Sequence, residues 1–405
     1  MRIFYFSLSI ILFLFLFLSC GTDSYDHDLD PNILEFELGS NGITIKCTNA
    51  SAGDIGVVDG KEFEAVDNEL LRQRIDDGSD LTKVCVSLVT DMSNLFEDST
   101  FDQAIGNWDV SSVTDMKRLF NNNRVFNQPI GNWDVGSVSD MSNMFSYTQF
   151  NETIGNWDVS NVSNMSNMFR FSSFNQPIGD WNVSNVTDMS SMFSHSQFNQ
   201  FIGNWDVSNV TKMSWMFSVS PFNQPIGEWD VSSVTDMNTM FYRSQFNQPI
   251  GDWDVSSVTD MNSMFVQTQF NQFIGDWDVS RVTNMLAMFE GSSFNQPIGD
   301  WDVSSVTIMR VMFYDNQVFN QPIGEWNVGN VTDMNKMFWN SNFHQPIGDW
   351  DVSNVTDMRG MFLDTRFNYD ISGWCVSRIE TEPDNFSNNS PLTPQNKPVW
   401  GTCPD

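Results

Sequence analysis

Apolar residues fall at fixed places along most of this chain. Counting from a phenylalanine as position 1, the unit reads Phe-Asn-Gln-Pro-Ile-Gly-Asp-Trp-Asp-Val-Ser-Ser-Val-Thr-Asp-Met-x-x-Met-Phe, followed by four variable positions. Trp recurs at 108, 133, 157, 181, 205, 229, 253, 277, 301, 326, 350 and 374, at intervals of 24 with two of 25. Both insertions fall in the same loop, before Phe126 and before Phe319. Every Met except Met1 occupies position 16 or position 19. Such registration predicts one supersecondary unit stacked on itself, with each column forming a ladder along the array.

Within a unit, Trp-Asp-Val alternates apolar, polar and apolar, which predicts a short strand with Trp and Val inward and Asp outward. Ser or Asn at position 12, followed three residues later by Asp, resembles a helix N-cap with an acid near the positive helix end, as in Ser112-Val113-Thr114-Asp115. Val at 13, Met at 16 and 19 and Phe at 20 would then share one face of a two-turn helix. Gly at position 6, as in Gly131 and Gly179, would allow the turn into the next strand. The expected fold class is α/β: a right-handed, leucine-rich-repeat-like solenoid of strand-plus-short-helix coils, with its parallel sheet on one face.

The ends of the array differ from its middle. Alignment on Met92 puts Cys85 where other units carry the outward Asp, and Trp374-Cys375-Val376 repeats the exchange at the far end. Cys47 and Cys403 lie beyond the array. Strands spaced about 4.8 Å apart would separate the two ends by roughly 60 Å, too far for a disulfide. That leaves Cys47–Cys85 and Cys375–Cys403, staples that would close the caps in an oxidising compartment.

The N-terminus supplies the export signal. Residues Ile3 to Leu18 are almost entirely Ile, Leu and Phe after a single Arg2, near signal-peptide length and short for a stable membrane span. Phe17-Leu18-Ser19-Cys20 resembles a bacterial lipobox, which would make Cys20 the acylated first residue of the mature chain. The expected organisation is a lipoprotein signal peptide over 1–19, an acidic tether over 20–40, an N-terminal cap over 41–83, the solenoid over 84–376 and a C-terminal cap over 377–405. A net charge of −32 argues against nucleic acid, whose binding relies on Lys and Arg.

The repeated unit resembles that of BspA-like leucine-rich-repeat surface proteins, in the branch with a mycoplasma-type lipoprotein-associated repeat. The segment Gly42-Ile43-Thr44-Ile45-Lys46-Cys47 with Gly53-Asp54-Ile55-Gly56-Val57-Val58-Asp59-Gly60 is similar to the leader before such arrays in marine Bacteroidetes proteins. Asp80-Leu81-Thr82-Lys83-Val84-Cys85 and the tail Lys397-Pro398-Val399-Trp400-Gly401-Thr402-Cys403 fit the same picture. This resemblance covers residues 41–405 and implies a surface protein of adhesion or host-contact type. Asp23, Asp26, Asp28 and Asp30 after Cys20 resemble the signal that sends Bacteroidetes lipoproteins to the outer face.

The candidate contacts are few. The Trp column is inward and reads as core. The outward Asp column includes Asp206, Asp230, Asp254, Asp278 and Asp302 in consecutive units; neighbours about 5 Å apart in water repel by only about 1 kcal/mol, so no metal is expected, and no cofactor. Variable positions are where specificity would lie: Tyr242, Tyr314 and Trp339 at position 21, and Trp215 at position 18. The expected function is a cell-surface lipoprotein on the outer membrane, an adhesive scaffold for an extracellular protein or glycan. The alternative is a solenoid enzyme acting on polysaccharide, but the departures from the repeat, such as Lys212, Arg281 and Ile308, are scattered over distant coils.

Overall fold

The computed structural model describes residues 34–404. Its N-terminal part holds β1 (Leu34–Glu35), β2 (Glu37–Leu38), β3 (Ile45–Lys46), β4 (Ile55–Val58), β5 (Lys61–Ala65), α1 (Asn68–Asp76) and β6 (Val84–Cys85). One sheet runs β1-β4-β5-β6 and a second pairs β2 with β3. The sheets thus take in Leu34–Glu35 and Glu37–Leu38, residues that the sequence reading assigned to the tether. The β4–β5 hairpin turns on Asp59 and Gly60, both at positive φ (51° and 74°), the conformation that an Asp-Gly hairpin turn requires. Asp67 caps α1 by accepting the N–H groups of Glu69 and Leu70. Arg74 donates to both carboxylate oxygens of Glu64 at 2.7 Å, tying α1 to β5.

Beyond β6 the chain is a tandem repeat that, among the described residues, holds neither the helix nor the strand expected in each unit. Single-residue parallel bridges run through position 15, from Asp91 to Asp115, Asp140, Asn164 and onward to Asp357. The N–H groups at even positions are spent on the neighbouring coil: Met116 donates to the Asp140 carbonyl, Arg118 to Ser142, Phe120 to Met144 and Asn122 to Ser146. The odd positions close three-residue turns within the coil, as Leu119 does to Met116 and Asn121 to Arg118. An α-helix needs the even N–H groups for its own i−4 carbonyls, so none forms. Positions 18 and 22 sit at positive φ, for example Asn143 at 59° and Asn122 at 54°, as the third residue of such turns demands.

The strand expected at Trp-Asp-Val is likewise replaced by local turns. The Trp133 N–H returns to the Ile130 carbonyl and the Val138 N–H to Val135. The Asp206 carboxylate accepts both the N–H and the hydroxyl of Ser208. The side-chain orientations are those expected: Trp205 is buried, Val207 is buried and Asp206 is exposed. The Ser208 hydroxyl and N–H hold the Asp206 carboxyl below its usual range, and Ser232 and Ser280 do the same for Asp230 and Asp278.

The core is a set of parallel ladders. Trp133 and Trp157 stack at 6.5 Å and 2°, Phe145 and Phe169 at 5.8 Å and 6°, Phe150 and Phe174 at 6.2 Å and 4°. Each buried indole N–H donates to the position-5 carbonyl of the preceding coil, as Trp157 does to Ile130 at 3.2 Å, so the largest core side chain leaves no donor unpaired. The Asn at position 2 accepts the N–H of the next coil's position 2, in a run that includes Asn127, Asn151, Asn175 and Asn199. Position 6 is glycine for a reason other than turning freedom. A Cβ on Gly131 would sit 2.5 Å from the Thr153 carbonyl of the next coil, and one on Gly227 2.8 Å from that of Pro249. At the ends, Cys47 is bonded to Cys85 and Cys375 to Cys403. Residues 384–389 replay positions 17–22 once more: Gly360, Phe362 and Asp364 donate to the carbonyls of Asp384, Phe386 and Asn388.

Candidate functional site

The turn segment at positions 17–22 presents a continuous face along the array, because its backbone is pinned coil to coil. Left-handed residues at 18 and 22 are cheapest as Gly or Asn, and several units comply, with Asn94, Asn143, Asn167 and Gly360 at 18 and Asn122, Gly291 and Asn340 at 22. Six consecutive units do not at position 22, from Tyr147 to Gln267, and the first four of them are the bulkiest or β-branched apart from Arg243. Position 22 carries Tyr147, Phe171, His195 and Val219 at φ between 52° and 58°, and Tyr147, Phe171 and Val219 are 36–37% exposed. A bulky or β-branched residue in this region is strained, and nothing in the core is gained from it.

These side chains form a strip. Tyr147 stacks on Phe171 at 4.6 Å and Phe171 on His195 at 4.2 Å. Arg170 lies over both Phe171 (5.1 Å) and Tyr147 (5.8 Å). Burial, and then the Arg170 charge, hold His195 below its ordinary value, so its ring is neutral at pH 7 and packs as an aromatic. The Ser194 hydroxyl lies 3.0 Å from its Nδ1.

The four residues singled out from the sequence all lie on this face but fall into two separate pairs. Trp215, 42% exposed and itself left-handed at φ 61°, sits 6.3 Å from Tyr242. This pair adjoins the strip: the Val219 N–H donates to the Tyr242 carbonyl, and Arg243 lies 5.2 Å over the Tyr242 ring. Further along, Tyr314 meets Trp339 edge to face at 5.1 Å, and the Trp339 indole donates to Asp364. Lys336 lies 4.7 Å over the Trp339 ring. Cys20 falls outside the described residues. Among the described residues no group of three or more His, Cys, Asp or Glu could hold a metal ion, and no helix is long and apolar enough to cross a membrane.

The family model described as "Mycoplasma protein of unknown function, DUF285" matches residues 68–173, 146–247, 170–269, 243–342 and 325–400. The chain belongs to the DUF285 family. No curated protein matches it, and no solved structure does. The DUF285 matches overlap along the array, from α1 through the C-terminal cap, so a single repeat type accounts for the stacked columns and for the turn face alike.

Sequence reasoning placed Trp215, Tyr242, Tyr314 and Trp339 on a variable surface but missed Tyr147, Phe171, His195 and Arg170. The signal was partial: Asn and Gly at positions 18 and 22 of several units mark left-handed backbone, and Tyr147, Phe171 and His195 are the aromatic residues of the second column.

Proposed function

We propose that this protein is a lipid-anchored cell-surface scaffold that binds an extracellular partner through its turn face, in the manner of BspA-like surface proteins. The observation that carries the reading is the strip: exposed aromatic side chains held in left-handed positions where Asn or Gly would be less strained. Backbone strain kept without a packing return is characteristic of a site shaped for contact, and exposed Tyr and Trp beside Arg are the residue types enriched at binding interfaces. Two disulfides fit an exported protein. In this reading the coil is a right-handed, leucine-rich-repeat-like solenoid, with each disulfide stapling a cap over an open end. The Phe17-Leu18-Ser19-Cys20 run supplies the anchor, and display is on the outer membrane.

The contact face is tested by serine substitution at Tyr147, Phe171 and Trp215 together, with binding of the exported chain measured on an array of glycans and matrix proteins. Each such side chain at an interface centre is worth about 2 kcal/mol or more, so the triple variant should lose at least about thirtyfold in affinity while its unfolding temperature stays the same or rises. Unchanged binding would remove the face from consideration. The anchor has its own test: Cys20→Ala should release the protein from membranes and abolish palmitate labelling. Persistent labelling would refute the lipoprotein reading.

A further inference from the structure

The last coils and the C-terminal cap line an open cavity of about 340 Å³ on the same turn face, bounded by Arg310, Asn335, Lys336, Trp339, Arg359 and Asp384 among others. It breaks the repeat. Position 17 is Ser, Asn or Leu from Ser142 through Leu286 and becomes Arg310 and Arg359 here, on either side of Asn335, with Lys336 beside them at position 18. Three cations in one cavity are a marked concentration in a chain with 19 basic and 51 acidic residues.

The polar groups of the cavity are unequally satisfied. Arg359 is committed to Asp357, at 2.6 Å through one terminal nitrogen and at 3.0 and 3.2 Å through Nε. Among the described residues neither Arg310 nor Lys336 has an ion pair, and Lys336 lies over the Trp339 ring. Asn335 is 4% exposed. Its amide nitrogen donates to both Asp357 oxygens at 3.2 and 3.1 Å, while its Oδ1 is buried with no donor. A buried acceptor without a donor is costly, but this one is closed to solvent, so the groups open to a ligand are the Arg310 and Lys336 cations, the exposed Asp384 carboxylate and the Trp339 ring. A ligand that completes the cavity therefore brings one anionic group for Arg310 and Lys336. It also brings neutral donors for the Asp384 carboxylate, and an apolar edge to lie against Trp339.

We infer that this cavity binds an acidic sugar residue, a pyranose carrying one carboxylate or sulfate, at the end of the contact face proposed above. The ring hydroxyls supply the donors, the anion supplies the charge, and the C–H edges suit the indole. An acidic peptide offers charge but not several hydroxyl donors around a single anion, and a neutral sugar leaves Arg310 and Lys336 uncompensated. The inference rests on the turn face being a binding surface, but it makes a separate demand on a different set of residues.

The full chain is titrated with tetragalacturonate, a sulfated chondroitin tetrasaccharide, cellotetraose and hexaglutamate. One or both acidic saccharides should bind, at least tenfold more tightly than cellotetraose or hexaglutamate, and binding should weaken as sodium chloride rises. Which of the two binds more tightly identifies the anion as carboxylate or sulfate. Loss of one charge-assisted hydrogen bond corresponds to about ten- to a hundredfold in affinity, so Arg310→Gln and Lys336→Gln should each show that loss. Both side chains reach the surface, so the unfolding temperature should stay within a few degrees, and Phe201→Ser, at an exposed position off the turn face, should leave saccharide binding unchanged. The inference is overturned if neither acidic saccharide binds at millimolar concentration, if hexaglutamate binds equally well, or if both Gln variants bind like the parent. If saccharide binding fails while the strip variant still loses its array targets, only the cavity assignment falls. If both fail, the contact face falls with it.

Discussion

Trp277→Ala should destabilise the protein by about 3–5 kcal/mol, the range for deleting a fully buried Trp or Phe side chain. Trp277 is 3% exposed, stacks on Trp301 at 6.5 Å and meets Phe265 at 6.4 Å. Its indole N–H donates to the Ile250 carbonyl at 3.1 Å. Each coil touches only its neighbours, so the cavity weakens two coil interfaces at once. Trp277→Phe refills most of the volume but leaves the Ile250 carbonyl with the Trp253 N–H alone, and should cost about 0.5–1.5 kcal/mol. Urea unfolding followed by circular dichroism measures both. A loss below about 1 kcal/mol for the alanine variant would mean that the stacked columns do not carry the stability.

Removing the N-terminal disulfide by replacing Cys47 and Cys85 with Ser should cost about 4 kcal/mol, from the chain entropy that a 38-residue separation restores to the unfolded state. Loss of the C-terminal one, with a separation of 28, should cost slightly less. Accessibility separates the two in reductant. Cys47 and Cys85 are buried, whereas Cys403 is exposed. Mild dithiothreitol should therefore open Cys375–Cys403 first and leave Cys47–Cys85 until the N-terminal cap opens. Alkylation and peptide mapping over time give the order. The reverse order would contradict a cap whose bond sits inside the fold.

The columns were legible because burial repeats. Trp133, Val135, Met141, Met144 and Phe145 are apolar for the same reason in every coil, and the structure buries all of them. The cysteine pairing was legible because geometry left one solution. The helix was not, because Val138, Met141, Met144 and Phe145 recur at spacings that consecutive three-residue turns share with a helix. The distinction lay in Asn143 and Tyr147, whose left-handed backbone a helix forbids. Gly131 was read as a turn residue because a sequence shows no approaching carbonyl, and Asn127 was passed over because its partner lies in the next coil. The candidate site was half legible: exposed Trp215 and Trp339 stood out, whereas the strip and the cavity depend on which coils lie side by side.

The central claim, that the turn face is the contact surface, is tested most directly by hydroxyl-radical footprinting of the exported chain, free and bound to the array target that retains it best. Several exposed apolar side chains serve as reporters, and they lie in different parts of the chain. Tyr147, Phe171, Trp215 and Val219 are on the turn face, Phe201 and Phe273 stand at position 4 of their units, and Val399 is in the C-terminal cap. The account predicts protection of Tyr147, Phe171 and Trp215 on binding, with Phe201, Phe273 and Val399 unchanged. Protection of Phe201 and Phe273 with the turn face still fully reactive would contradict it.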